Sequence, residues 1–483
     1  MSASVSYLLA IPILIIVYKL CASLVHQASS HFPLPPGPKG VPFLGNISYA
    51  LSIQKASHQW AYYLELSKKY RSDIVHFGVM GEHVIVLNSV KATDEILEKR
   101  SGLYSDRALM YMSNLVGLLY IEDGAGTLPL WDIHLSGGLL HRRTFHQDFN
   151  RQAIVAYEPI MLQSCSALLK KLAPSKQYDL TSQIPEIEHE NLDSYIRSHA
   201  GFAILNAVYG MTTQEGKIDD YVHLAGLAAP SVVETFNHGS FLVDFFPLLK
   251  YVPDWLPGVS FKKKAAAWAP TVSNLRDGPW EKFKSSIISG TAADCVATKN
   301  FEKFNVSPTL QDRLHMNIGS EADMEEVIKN TTGIAYFEVQ KKAQKELDSV
   351  TGQHRLPDFS DQKSLPYVDA ILKEVQRMYP VTPLEKDSNT PPNPELYAFG
   401  FGRRVCPGRH FALQAAWIVL ASVLATCNIM RSRDDDLEKK IDPWKDFNDG
   451  VLVHPKPFKC RIVPRSLDTL NLMNTGYPNS LLG

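Results

Sequence analysis

The order of apolar and polar positions divides the chain into an apolar leader, a stiff connector and a long series of mostly helical segments. Tyr7 to Val25 is almost continuously apolar, broken by Lys19, and a helix of that length just crosses a bilayer core of about 30 Å. Pro12 is tolerated within a membrane helix, and Lys19 can extend its stem toward the head groups. A cleaved signal peptide is the competing reading, although no basic residue precedes the apolar run. Phe32-Pro33-Leu34-Pro35-Pro36-Gly37-Pro38-Lys39-Gly40 then forms an extended connector that cannot continue a helix.

Beyond the connector, Ala56 to Tyr70 predicts an amphipathic helix with Trp60, Leu64 and Leu66 turned inward. Asp73 to Phe77 and His83 to Leu87 read as two strands of a hairpin turning across Gly78 and Gly81. Ser89 fits the cap of a following helix that buries Ala92, Ile96 and Leu97, and Gly102 fits its end. Ala153 to Leu172 and Glu186 to Tyr209 are helical in pattern. Phe241 to Pro257, crowded with aromatics and prolines, is either core packing between helices or an apolar rim for substrate entry at a membrane. Ile371 to Met378 predicts a helix ending before Pro380, and Phe411, Leu413, Ala416, Trp417, Leu420 and Leu424 mark another. Val451-Leu452-Val453 with Phe458 to Val463 predicts a C-terminal hairpin. The fold class is therefore mainly α with small β-sheets. Residues 1–30 read as a membrane anchor, 31–46 as a proline-rich hinge and 47–483 as a single domain.

Composition narrows the function classes. The 483 residues carry 49 basic against 50 acidic side chains, a net charge of -1, which argues against nucleic acid as a partner. The six cysteines, at 21, 165, 295, 406, 427 and 460, form no CxxC pair, so neither a zinc site nor a disulfide framework is indicated and a reducing compartment is the simpler home. Lys262-Lys263-Lys264 and Asp434-Asp435-Asp436 read as solvated faces. Asn46-Ile47-Ser48 matches a glycosylation sequon, which stays unused on the cytosolic side.

The chemistry concentrates in Phe399-Gly400-Phe401-Gly402-Arg403-Arg404-Val405-Cys406-Pro407-Gly408-Arg409-His410. Gly400, Gly402 and Gly408 allow the backbone to turn tightly and to pass close to a flat ligand. Pro407 suits the first position of the helix that follows, which puts Cys406 at a helix N-terminus, where the dipole favours a thiolate. A lone cysteine is more often an inert buried one. Here a thiolate with Arg404 two residues away, ready for an acidic group, suits an iron-porphyrin with propionate arms. Upstream, Glu374 and Arg377 are three apart on one helical face and can pair.

The complete FxxGxRxCxG pattern, together with Glu374 and Arg377 at ExxR spacing, resembles the cytochrome P450 family. The likeness runs from the anchor to the terminal strands, and is nearest to fungal microsomal members of the O-methylsterigmatocystin oxidoreductase-like group. Tyr104-Ser105-Asp106-Arg107, Trp255-Leu256-Pro257-Gly258 and Glu338-Val339-Gln340-Lys341-Lys342 are among the stretches that look alike. The resemblance implies haem b with Cys406 as axial thiolate, whose electron push favours O–O cleavage. It implies Arg404 as a propionate partner and Phe399, Gly402 and Gly408 as shapers of the loop. Glu374 and Arg377 become a structural clamp, with no catalytic role. It further implies NADPH-cytochrome P450 reductase as electron donor, a small apolar organic substrate, and an endoplasmic-reticulum membrane held by a single N-terminal helix with the catalytic domain cytosolic.

Three departures from the family pattern bear on activity. Glu325 to Tyr336 begins the helix that carries an acid-Thr pair over the distal haem face, but Thr331-Thr332-Gly333 is followed by Phe337-Glu338-Val339-Gln340 with no such pair. The distal half of that helix is missing, so no catalytic residue is assigned. Between the clamp helix and the cysteine loop, Glu385 to Ala398 is too short for the strands and the third clamp residue that the family places there. The WxxxR element is misspaced, since Gly137-Gly138 separate Trp131 from Arg142, which remain candidates for haem contacts alongside ordinary packing roles. The alternative to an active monooxygenase is a relative that binds haem or a partner without activating oxygen.

Overall fold

The structure, a computed structural model, describes residues 33–41, 44–55, 59–79, 81–105, 110–117, 145–174, 187–211, 218–236, 240–253, 259–305, 337–378, 393–431, 455–456 and 458–482. Tyr7–Val25, Trp131, Arg142, Glu325–Tyr336, Val451–Val453 and Glu385–Pro392 lie outside them, as do the three aspartates at 434–436. The chain forms two compact units. One comprises Met1–Tyr104, Leu384–Pro391 and Phe401–Arg403, and the other Ser105–Pro383, Pro392–Gly400 and Arg404–Gly483.

In the first unit, helices α1 (Ile47–Lys55) and α2 (Gln59–Tyr70) precede a hairpin of β1 (Ile74–Val79) and β2 (Glu82–Leu87). Burial alternates along β1, with Val75, Phe77 and Val79 inside, which is the period-2 signature of a strand packed on one face. The register runs from Ile74 opposite Leu87 to Val79 opposite Glu82. Gly78 therefore lies within the strand, whereas the sequence pattern placed it at the turn. Asn46 explains why: its N–H reaches the Gly78 carbonyl at 2.6 Å, and its side-chain oxygen accepts the Gly78 N–H at 3.0 Å. Ser89 caps the next helix, accepting the Ala92 N–H at 3.1 Å. That helix buries Ala92 and widens into a π turn over Asp94–Glu98, which leaves Ile96 and Leu97 half-buried. Gly102 sits inside the short helix Ser101–Tyr104 and does not end the preceding one.

The second unit is helical, with α3 (Glu158–Leu172), α4 (His189–Tyr209), α5 (Ile218–Phe236), α6 (Ser260–Ser289), α7 (Val296–Asn305), α8 (Phe337–Thr351), α9 (Pro366–Met378), α10 (Arg409–Thr426) and α11 (Leu467–Thr475). A three-stranded antiparallel sheet of β3 (Ile187–Glu188), β4 (Cys427–Arg431) and β5 (Lys459–Pro464) is ordered β3-β5-β4. The strand at Lys459–Pro464 thus pairs with Cys427–Arg431; residues 451–453, the other half of the expected C-terminal hairpin, lie outside the described residues. β4 follows α10 without a break, so its few apolar residues merge into the helical pattern ahead of them.

Helix α10 is buried on all sides between α3, α8, α9 and α11, as expected of a helix apolar around its whole circumference. Among the described helices it is long and apolar enough to cross a membrane, yet 78% of it is buried inside the protein, which makes it a core helix. Phe241 and Val243 enter a second cluster with Met112, Val116 and Phe261, while Leu242, Leu248 and Tyr251 of the same segment are exposed. The core-packing reading holds for Phe241 and Val243. Two lysines of the 262–264 triplet have partners: Lys262 donates to the Val252 carbonyl at 2.5 Å, and Lys264 pairs with Glu234.

Candidate functional site

The cysteine loop hangs from the N-terminus of α10. The helix begins at Arg409 with Gly408 as its cap residue, and its first intrahelical bond runs from the Ala412 N–H to the Gly408 carbonyl at 3.0 Å. Pro407 lies in the turn before the helix, where the sequence pattern had put it in the first helical turn. The Cys406 N–H donates to the Phe399 carbonyl at 2.8 Å, which closes the loop on itself. Phe399 is half-buried against the main core, and the side chain of Arg404 lies outside what is described.

Cys406 is half-buried, while the other described cysteines, Cys165, Cys295, Cys427 and Cys460, are buried. Burial pushes the thiols of Cys165 and Cys427 up to about 12, which holds them protonated and unsuited to bind a metal.

Two of the three loop glycines differ in what surrounds them. Gly402, within the first unit, adopts a φ of +58°, and a Cβ on it would meet the Leu97 carbonyl oxygen at 1.9 Å. Its N–H donates to the Glu98 carboxylate at 2.6 Å. The chain itself requires that glycine. Gly408, at φ −85°, has an unstrained backbone, and no atom of the described chain lies within 4 Å of where its Cβ would be. Among the described residues nothing requires glycine there, which leaves the space beside it open.

Around the helix start, Phe411 packs edge-on to Phe149 at 5.8 Å, and Phe149 stacks on Phe145 at 4.3 Å and on Tyr157 at 5.6 Å. This aromatic cluster fixes residues 145–149 beside the loop. His410 is held below its ordinary pKa by burial, then by the positive charges of Arg409 and Arg151 and by His146. The loop's end of α10 is thus cationic, which suits the carboxylate arms of a porphyrin. Sequence reasoning missed Arg151 and His146 because neither belongs to a motif; their nearness to His410 comes from tertiary packing.

Glu374 and Arg377 pair through two bonds of 2.7 Å, from Arg377 Nε and Nη2 to the two carboxylate oxygens. The carboxylate holds the guanidinium above its ordinary pKa. Both side chains are partly exposed, so the fork acts by fixing geometry more than by energy. The structure therefore brings together Cys406, Phe399 and Gly408 in one loop and Glu374 with Arg377 on one helix, while Trp131 and Arg142 lie outside the described residues.

A half-exposed cysteine presented by a glycine-rich loop ahead of a buried helix, in a mainly helical protein, defines a class that presents a thiol to a bound group. The sequence profile of cytochrome P450 matches residues 334–391 and 384–462. The chain is 30% identical to cytochrome P450 monooxygenase 98 of Postia placenta, over 94% of this chain and 95% of the relative. It is 31% identical to a cytochrome P450 monooxygenase of Armillaria gallica, over 96% and 98%. It is 29% identical to the tryptamine 4-monooxygenase of Psilocybe cyanescens, over 90% and 94%. The chain belongs to the cytochrome P450 family and is similar throughout to its fungal members. That family holds haem through a cysteine thiolate and is named for monooxygenation.

The alignments also show what this chain lacks. They extend over 520 and 539 positions, more than the 483 residues present, so these relatives carry residues with no counterpart here. The profile match breaks into two stretches that meet at 384–391, inside the shortened interval after the clamp helix.

Proposed function

We propose that this chain is a membrane-anchored haem-thiolate monooxygenase that inserts one oxygen atom from dioxygen into a small apolar organic substrate, using electrons from NADPH-cytochrome P450 reductase. The observation that carries this reading is Cys406, half-exposed in a loop closed by its own N–H on Phe399, next to the open space at Gly408. When bound, iron-protoporphyrin IX supplies the oxygen chemistry, with the Cys406 thiolate as its axial ligand. Arg404, with Arg151 and Arg409 close to His410, offers positive charge to the propionates. Phe399 anchors the loop in the core, Gly402 sets its turn, and Glu374 with Arg377 stiffens the helix behind it.

Residues 1–30 serve as the anchor, 31–46 as the hinge and 47–483 as the haem-binding part, on the cytosolic face of the endoplasmic reticulum. One observation supports that surface. Exposed Leu242, Leu248 and Tyr251, with Lys250 over the Tyr251 ring, form an apolar edge with a basic partner suited to a lipid surface.

A second reading, a relative that binds haem without activating oxygen, is favoured by the missing acid-Thr pair after Gly333. One experiment separates them. Purified protein loaded with haem is reduced and exposed to carbon monoxide; a thiolate-type spectral shift is expected, and its absence overturns both readings. With reductase and NADPH, product formation well above peroxide formation supports the monooxygenase, and peroxide alone supports the second reading.

A further inference from the structure

The interval between the clamp helix and the cysteine loop is described from Asn393 onward, and that part packs against the clamp helix. Asn393 caps a short 3-10 turn over Pro394–Leu396, its side-chain oxygen accepting the Glu395 N–H at 3.2 Å. That turn packs against α9. The next residue, Tyr397, is 2% exposed, and its hydroxyl is buried without a hydrogen-bond partner. It lies close enough to the Glu374–Arg377 fork for the charges to be felt: burial, Arg377 and Glu374 all act on the phenol, with burial dominant and the net effect upward.

The backbone of Tyr397 leads directly to the cysteine. Its N–H donates to the Pro394 carbonyl at 3.0 Å, its carbonyl accepts the Gly400 N–H at 3.2 Å, and two residues on, the Phe399 carbonyl accepts the Cys406 N–H at 2.8 Å. One residue thus has its side chain planted beside the fork and its main chain at the root of the loop. An unpartnered buried hydroxyl is a standing cost, offset by the burial of the ring that carries it.

We propose that Tyr397 is a positioning residue whose buried ring ties the Cys406 loop to the clamp helix. The proposal rests on Cys406 as the haem ligand, and its test keeps the two apart. Tyr397→Ala and Tyr397→Phe are compared with the unaltered chain in two measurements. In haem-free protein, alkylation of Cys406 is followed by peptide mass; in haem-loaded protein, the carbon monoxide spectrum is recorded at matched haem content.

The Ala variant is expected to alkylate severalfold faster and to convert much of its thiolate-type spectrum to the neutral-thiol type. The Phe variant, which keeps the ring, is expected to match the unaltered chain in both. An Ala variant unchanged in both measurements overturns the proposal, and so does a Phe variant that behaves like Ala, since the hydroxyl would then be the tie. If the Ala variant fails to unfold cooperatively on heating, Tyr397→Leu, which keeps the site apolar without the ring, is read by the same criteria. Absence of any thiolate-type spectrum in the unaltered chain overturns the haem reading, and the alkylation measurement still decides the role of Tyr397.

Discussion

The carboxylate of Glu346 caps the helix that bears the clamp fork by accepting the backbone N–H of Tyr367, at 3.0 and 2.9 Å from its two oxygens. One of those oxygens also takes the Val368 N–H at 3.1 Å. α9 opens with Pro366, which has no N–H to lose, so Tyr367 and Val368 carry orphan donors of its first turn. The cap comes from α8, a different helix, and its negative charge sits at the positive end of the α9 dipole. One side chain thereby fixes the start of α9 relative to α8.

Glu346→Ala leaves those donors without a protein partner and is expected to destabilise the protein by about 1–2 kcal/mol. Glu346→Gln keeps a neutral acceptor oxygen and is expected to cost about half as much. Urea unfolding of both variants, followed by circular dichroism, gives the comparison. Equal losses would show that the cap acts wholly through its charge, and a Gln variant as stable as the unaltered chain would show that the charge contributes nothing.

Arg465 links α8 to the end of α10. It donates to both Asp348 oxygens, at 2.8 and 2.6 Å, and to the Ala425 carbonyl at 3.0 Å. Burial pushes the Asp348 carboxyl up, but the bonds from Arg465 and Gln353 outweigh it and the net pKa is lowered. A carboxylate depressed in the folded state contributes stability above its unfolded pKa of about 3.9, and that stability is lost as pH falls through the folded value. Asp348→Asn is therefore expected to cost about 2 kcal/mol at neutral pH, and the difference from the unaltered chain should shrink below about pH 4. Unfolding midpoints from pH 3 to 7 test this; a difference independent of pH would assign the loss to packing.

The parts of this protein legible in the sequence are those in which a local pattern and the final packing agree. The alternation at Val75 and Phe77 announced its strand, Ser89 its cap, and the apolar residues from Phe411 to Leu424 the buried helix. Cys406 and the Glu374–Arg377 fork were legible because their residue types and spacing are specific. What was missed depends on partners far along the chain. Gly78 reads as a turn until Asn46 is seen to bond it, and Tyr397 is unremarkable in a polar interval until its ring is found buried beside the fork. The nearness of His146 and Arg151 to His410 has no local signal at all.

His199 of α4 is buried against Ser164 of α3. The Ser164 hydroxyl lies 2.8 Å from the His199 carbonyl and within hydrogen-bond reach of the ring Nδ1, while Nε2 has no hydrogen-bond partner. Burial pulls the imidazole pKa down to about 4, against a modest opposing effect of Ser164. An imidazole that stays neutral when folded but titrates near 6.5 when unfolded contributes stability above 6.5 that is lost as pH falls toward 4. The expected loss across that window is about 3 kcal/mol, and His199→Phe, which cannot protonate, should abolish it. Unfolding free energies of the two proteins between pH 4 and 7 decide the matter; parallel curves would mean that His199 protonates freely in the folded state.

The contrast between Gly402 and Gly408 gives a direct test of which part of the loop belongs to the polypeptide and which to a bound group. At Gly402 an alanine would have to hold a φ of +58° with its Cβ 1.9 Å from the Leu97 carbonyl oxygen. The left-handed conformation costs about 1–2 kcal/mol and the contact forces the backbone to move, so Gly402→Ala is expected to destabilise even haem-free protein, by more than about 2 kcal/mol. At Gly408 the backbone is unstrained and the space around it is open. Gly408→Ala should leave haem-free stability within about 0.5 kcal/mol, since nothing in the chain is displaced. It should nevertheless weaken haem retention, because the added methyl would fill part of the open space that the proposed haem would use beside the Cys406 loop. Thermal unfolding of haem-free protein and transfer of haem to apomyoglobin separate the two effects. Unimpaired haem retention in the Gly408→Ala protein would show that the open space at Gly408 is not where the porphyrin lies.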